Sequence, residues 1–388
     1  MVRTVHAADP EAVARYFDHG ATSFPKPAVV ARAMAAYLDG CGGTYGRAAY
    51  GRAHEATALV FDARERLARL LGAADSSRVV FTLNATHALN VAIQGLVRPS
   101  GVVLVSPLEH NAAMRPLTLV CRRHGARIEV LPHRADGRVE PERIAVPTGA
   151  CLAVVAQQGN VNGVVQPVAA IRARLRGVPL LVDAAQGAGE VPIAVVADDL
   201  DLVAVTGHKA LLGPTGTGAL YLRPGLELPP LMPGGTGSRS ESVEQPPTMP
   251  DALEGGTLNV AGIVGLGAAL EWLESQPPAR TAGLAVATAA ALRRIPGVMV
   301  HGALVAEDQG GLFSFEIDGQ SPSRTVLELL RRHGIEARAG LQCAPFAHTH
   351  LGTFERGGAV RVAFGRFHDD AAVDLIARAV ADLAGQRG

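Results

Sequence analysis

Between residues 60 and 225, short apolar runs alternate with segments whose apolar positions recur every three to four residues. The runs fall at 78–82, 102–106, 127–131, 151–157, 178–183, 201–206 and 218–222, and most are apolar almost throughout rather than at alternate positions. That pattern predicts strands buried on both faces. Helical periodicity fills 85–96, 112–124 and 167–176. Strands of this kind, separated by helices, predict an α/β fold with a mostly parallel sheet covered on both sides. Ligands then bind beyond the carboxyl ends of the strands.

Polar residues gather at those ends. Asn84, Thr86 and His87 follow the first run, Glu109, His110 and Asn111 the second, and Asn160 the fourth. Asp183 and Gln186 follow the fifth run, and Thr206, His208 and Lys209 the sixth. Such convergence implies a single site. Residues 229–256 are rich in Pro, Gly and Ser and read as a long loop, of the kind used as a lid or a subunit contact. Helical patterns at 258–275 and 279–294 then lead into a second α/β segment, with strands at 312–317 and 359–364 and helices at 322–333 and 369–384.

A length of 388 residues fits two or three domains or one large α/β unit. Hydrophobic residues make up 48% and charged residues 19%, a globular balance that excludes a disordered or fibrous chain. Basic and acidic residues number 36 each, which argues against a nucleic-acid partner and against a polybasic membrane anchor. No apolar run reaches the roughly 18 residues of a membrane span. The first residues carry Asp9, Glu11 and Asp18 and lack an apolar signal core, so a soluble, cytoplasmic protein is expected. Cys41, Cys121, Cys151 and Cys343 show no CxxC spacing, so neither a disulfide framework nor a metal site is expected.

Lysine usage changes the picture. Of the 36 basic residues only Lys26 and Lys209 are lysine. Arginine can replace lysine as a charge but cannot lose its proton to form an imine. Lys209 stands in a glycine-rich turn just past a predicted strand, where burial lowers an amine's pKa and suits it to Schiff-base chemistry. A surface lysine in an ordinary turn fits that spacing equally well. Lys26 lies far away in sequence, in the loop SFPKP. Asp183, at another strand end, suits a partner for a pyridinium nitrogen, and it also suits a plain helix cap. Thr86 opens a helix, where backbone N–H groups and a hydroxyl hold phosphate, although Asn and Thr cap ordinary helices too. Neither a P-loop nor a GxGxxG following a strand is present.

The segments DHGATSFPKP (18–27), ATHALN (85–90), LEHNA (108–112), GNVNG (159–163), DAAQ (183–186), TGHKALLGPTGTGALY (206–221) and EGGTLNVAG (254–262) occur in that order. Together with ARAGLQCAPFAHTHLGT (337–353) and AVRVAFGRF (359–367), they closely resemble class V, fold-type I pyridoxal-phosphate enzymes. Within that class the resemblance is to SufS-like cysteine desulfurases and the related selenocysteine lyases, and it covers nearly the whole chain. It implies a large cofactor domain (16–262) with a mostly parallel seven-stranded sheet. A smaller α+β domain (263–388, with 1–15) would carry the Cys343 loop, and the assembly would be a homodimer. Pyridoxal 5'-phosphate is the implied cofactor. Lys209 would hold it covalently, Asp183 would pair with its ring nitrogen, His110 would stack on the ring and Gln186 would contact the 3-oxygen. Ala85, Thr86, Thr206 and His208 would surround the phosphate, with Thr257 reaching in from a partner subunit. Asn160, Arg338 and Arg361 would bind the substrate carboxylate, a task suited to arginine forks.

Cys343 would accept sulfur. Its setting, RAGLQCAP, is polar and glycine-bearing, unlike a core run. His348 and His350 follow closely, but without further ligands they do not make a metal site. The pattern departs from the family at His19 and Gly20, usually Asn and Ala, at His87, often Glu, and at Gln342, commonly His. The implied reaction converts L-cysteine to L-alanine with a persulfide on Cys343, for delivery to a sulfur-acceptor protein. Alternatives are a selenocysteine lyase, a C–S lyase or specialised biosynthetic enzyme on the same scaffold, and a non-catalytic sulfur-relay or scaffold protein.

Overall fold

A computed structural model describes residues 9–46 and 48–385. Residues 1–8 and 386–388, expected in the second unit, lie outside the described residues. Seven strands form the larger sheet: β1 (Val79–Thr82), β2 (Val102–Val105), β3 (Arg127–Val130), β4 (Ala150–Ala156), β5 (Leu180–Asp183), β6 (Leu202–Thr206) and β7 (Gly218–Leu222). Their order is β1-β7-β6-β5-β4-β2-β3, and β7 alone runs antiparallel to its neighbours.

The continuous apolar runs serve two cores at once. Ala153 and Val155 of β4, Val182 of β5, and Val203 and Val205 of β6 face one side, with the Gly51–Leu71 and Val260–Glu274 helices. Leu152 and Val154, Leu181, and Leu202 and Ala204 face the other side, with the Ala85–Leu96 and Asn111–His124 helices. Successive strand side chains point to opposite faces, so a strand covered twice has to be apolar at every position.

The smaller sheet is antiparallel, in the order β10-β11-β9-β8, from β8 (Val298–His301), β9 (Leu312–Ile317), β10 (Arg338–Gly340) and β11 (Ala359–Ala363). Helices Thr281–Leu292, Pro322–His333 and Asp370–Gly385 pack on it around Phe313, Phe315 and Val362. Phe17 joins that core, and Asp18 bridges to Ala363. Residues 229–256 contain no helix or strand. They are tied down by a buried ion pair, Arg64 Nη1 to Glu254 Oε1 at 2.6 Å, and Glu254 also accepts the Phe81 N–H. Among the described residues no helix is long and apolar enough to cross a membrane.

Candidate active site

The carboxyl ends of β4, β5 and β6 open into a cavity of roughly 420 Å³ walled on its far side by β10, β11 and the loop after β10. Twelve of the thirteen residues expected at the site line it, and Thr257 does not. Thr257 lies in a separate recess with Tyr45, Gly235 and Glu254.

One wall is built to receive an anion. Asn84 caps the Ala85–Leu96 helix through Oδ1 and the His87 N–H (3.0 Å), which leaves Ala85 and Thr86 at the helix start facing the cavity. A helix N-terminus carries free N–H groups and partial positive charge. Thr206 Oγ1 and His208 Nδ1, whose residues line the same cavity, are buried without a hydrogen-bond partner. Gly218, paired with Thr206 across β6 and β7, lets the backbone of Asn84 come close, since a Cβ there would lie 2.7 Å from the Asn84 Cα.

Lys209 follows β6, and burial, helped by Arg361 and Arg338, pushes its amine down to about 8 against the pull of Asp183 and Asp18. Asp183 is buried at the end of β5, where desolvation raises its pKa while the Ala185 N–H and Lys209 work the other way. Its Oδ1 accepts the Ala185 N–H at 2.9 Å, so it caps the following turn and faces the cavity together. His110 caps the Asn111–His124 helix by accepting the Ala112 N–H at Nδ1 (3.0 Å). Burial, then Lys209 and Arg361, lowers its pKa to about 4, so the ring is neutral with its proton on Nε2. Gln186 Nε2 donates to the Gly20 carbonyl at 2.9 Å.

The opposite wall carries the arginines. Arg361, 2% exposed, donates from Nη1 to the Asn160 carbonyl (3.0 Å) and from Nη2 to Asp18 Oδ1 (2.8 Å). Its Nε has no partner, nor does Asn160 Oδ1. The more exposed Arg338 reaches Asp18 Oδ2 from Nε and Nη2, both at 3.0 Å. Gly20 allows this arrangement, since a Cβ there would meet the Arg361 guanidinium carbon at 2.9 Å.

Of the four cysteines, Cys343 alone is exposed, and it lines the cavity. Its loop adopts left-handed backbone at two successive non-glycine residues, Gln342 (φ 50°) and Cys343 (φ 57°). Asn160 Nδ2 donates to the Gln342 carbonyl and the Asn111 N–H to the Cys343 carbonyl, both at 2.9 Å. The Gln342 amide donates to Ala359 O at 2.8 Å. His348 turns inward to Thr353, and His350 packs against Phe346 and His133, so neither joins Cys343. Among the described residues no group of three His, Cys, Asp or Glu could hold a metal ion.

Sequence reasoning missed Asp18, which bridges both arginines, and Lys26, whose Nζ lies 2.6 Å from the His208 carbonyl oxygen despite its distance along the chain. No periodicity signals either contact. It also missed that Glu109 is a fully enclosed acid. Its Oε1 accepts from Ser106 Oγ (2.6 Å) and the Ala156 N–H (2.7 Å), and its Oε2 is unpartnered.

The family model for aminotransferase class V matches residues 15–376. The chain belongs to this family. A probable cysteine desulfurase from Methanothermobacter thermautotrophicus is 34% identical over 383 residues, covering 95% of this chain and 94% of that protein. Cysteine desulfurase CsdA of Escherichia coli is also 34% identical over 383 residues, covering 94% and 92%. The crystal structure of that enzyme, in an S-sulfonic acid form, superposes with a TM-score of 0.84 at 32% identity, covering 97% of this chain and 95% of that one. The apo cysteine desulfurase of Thermococcus onnurineus gives a TM-score of 0.88 at 26% identity, covering 98% and 100%.

Class V aminotransferase-fold enzymes are pyridoxal-phosphate enzymes of fold type I, and the seven-stranded sheet with its smaller companion conforms to that class. The residues present fit the cofactor. Thr206 Oγ1 and His208 Nδ1 are buried polar atoms lacking partners beside a helix N-terminus, as a phosphate requires. A lysine of lowered pKa and a buried carboxylate line the same cavity.

Proposed function

We propose that the protein is a pyridoxal-phosphate-dependent cysteine desulfurase that converts L-cysteine to L-alanine and retains the sulfur as a persulfide on Cys343. The observation that carries this reading is the placement of an exposed thiol on the wall of the cavity that holds Lys209, Asp183 and a buried arginine.

Lys209 would hold the cofactor covalently, Thr86, Thr206 and His208 would take its phosphate, and His110 and Asp183 would face its ring, where the bound group would supply an electron sink. Arg361 and Arg338 take the substrate carboxylate, and Asn160 Oδ1 is free to accept from the substrate. Lys209 Nζ, at about 8, is poised to take the Cα proton and to return one. The Cys343 thiolate attacks the substrate sulfur, forming an S–S bond as the Cβ–S bond breaks. The electron pair of that bond stays with carbon, which takes a proton and leaves as alanine.

Homodimer formation is part of the proposal, supported by Thr257, which stands in its own recess away from the cavity of its chain. An exposed nucleophilic thiol needs a reducing compartment, which supports a cytoplasmic site of action. A persulfide at an exposed position suits transfer to an acceptor protein.

The test supplies cysteine and selenocysteine side by side, quantifies alanine, and searches the Cys343 peptide for one added sulfur. Alanine from cysteine with sulfur on that peptide is expected. Alanine from selenocysteine alone would make the protein a selenocysteine lyase, and pyruvate in place of alanine a C–S lyase.

A further inference from the structure

Residues 18–26 touch the cavity wall repeatedly, and the chemistry above assigns them no task. Asp18 bridges Arg338 and Arg361, and Gly20 receives the Gln186 amide. The segment then closes on one atom, the carbonyl oxygen of His208. Four donors converge there: the Ser23 N–H at 3.0 Å, Thr22 Oγ1 at 3.0 Å, Ser23 Oγ at 3.1 Å and Lys26 Nζ at 2.6 Å. A carbonyl offers two lone pairs, so this oxygen is held well beyond ordinary satisfaction. It belongs to the peptide that joins His208 to Lys209.

That peptide is the one whose orientation aims the Lys209 side chain. On one side of it the Gly207 N–H donates to Thr217 O, and on the other Lys209 O accepts the Leu212 N–H. Between those fixed points, rotation of the planar 208–209 unit would redirect the Lys209 Cα–Cβ bond. The four donors oppose that rotation. Lys26 makes the shortest of the contacts and also reaches Ser23 Oγ at 2.6 Å, so one ammonium binds two oxygens from a single point. A planar guanidinium spreads its donors over a wider fork. Lysine stands here in a chain that otherwise uses arginine for every cation but Lys209.

We propose that Lys26 is a positioning residue for Lys209, holding the 208–209 peptide through the His208 carbonyl so that the Lys209 amine meets the cofactor aldehyde in line. The proposal rests on the reading of Lys209 as the covalent anchor. Its test uses the full chain stripped of cofactor. Covalent loading by pyridoxal 5'-phosphate is followed by absorbance and by borohydride trapping with peptide mapping. Pyridoxine 5'-phosphate, which has no aldehyde, reports non-covalent binding. In wild type the trapped adduct is expected on the Lys209 peptide; an adduct elsewhere would reject the anchor reading itself. With the anchor in place, Lys26→Met is expected to slow covalent loading about tenfold or more while pyridoxine phosphate affinity stays within about twofold. Lys26→Arg, which keeps a cationic donor, should recover part of the lost rate. Loading of Lys26→Met at the wild-type rate would overturn the proposal. So would an equal fall in loading and in pyridoxine phosphate affinity, or an arginine variant no better than the methionine one. Should Lys26→Met not fold, Thr22→Val removes another donor to the same oxygen and is expected to slow loading in the same direction.

Discussion

Arg338 and Arg361 stand directly opposite one another across the antiparallel pair β10–β11, and both are bound to the single carboxylate of Asp18. Like charges in facing positions repel, and Arg361 is almost wholly buried. Asp18 thus neutralises a pair that the sheet register forces together, and it occupies guanidinium atoms of the kind a substrate carboxylate would seek.

Asp18→Asn should therefore cost about 2–4 kcal/mol, as expected when one partner of a buried ion pair is removed. Denaturant titration measures the loss. L-Alanine supplies a replacement carboxylate, so it should raise the melting temperature of the variant more than that of wild type. Equal ligand shifts in the two proteins would count against the shared-carboxylate account.

Lys209→Ala should abolish the borohydride-trapped cofactor adduct and all turnover. In apo wild type, burial and the two arginines favour the neutral amine, so labelling of Lys209 by an amine reagent should rise with pH and level off above about 8. Labelling that still climbs beyond pH 10, near the ordinary lysine value of about 10.4, would show that the amine is not enclosed. Peptide mapping separates this signal from that of Lys26.

Asp183→Ala should retain cofactor through Lys209 and the phosphate cradle yet lose about 100-fold or more in kcat, because a buried charge is removed from the cavity. Near-normal alanine release would reduce Asp183 to the cap it forms with the Ala185 N–H.

Cys343→Ala leaves the cavity walls intact, so cofactor binding should persist while sulfur removal from cysteine fails. Selenocysteine should still yield alanine at a measurable rate, since selenium leaves more readily. Full cysteine activity in the variant, with no persulfide on wild type, would move the protein to the C–S lyases.

Glu109 gives a pH signature. Burial raises it from 4.5 to about 8, against the pull of Ser106 and the Ala156 N–H. The folded protein keeps this proton while the unfolded chain ionises from about 4.5 upward, so wild type loses stability as pH rises from there to about 8. Glu109→Gln lacks that proton. Relative to wild type its stability should improve across the window by about 1–3 kcal/mol, read from denaturant midpoints at pH 5 and pH 8. A constant difference would mean that the acid is already ionised in the fold.

The parts legible in the sequence were those governed by local pattern. Continuous apolar runs located all seven strands of the larger sheet to within two residues at either end, and the strand ends at Asp183 and Thr206, with the turn that holds Lys209, meet in one cavity. The Gly51–Leu71 helix escaped because half of its buried residues are alanine and Arg64 is buried among them, so the apolar period is faint. Strand β10, three residues of Arg338–Gly340, is too short to show a period and owes its form to β11. Asp18 and Lys26 gave no signal, because their partners lie far along the chain and only tertiary packing unites them.

The scarcity of lysine has a practical side. Every ε-amino group in the molecule belongs to Lys26 or Lys209, and both sit within reach of one peptide. An aldehyde arriving from solution therefore finds no decoy lysine on the outer surface, where guanidinium groups supply the positive charge. Sugar aldehydes that form imines with scattered lysines of ordinary proteins have the same narrow choice of side-chain amines, so such adducts would fall on one small region of the molecule rather than spread over its surface.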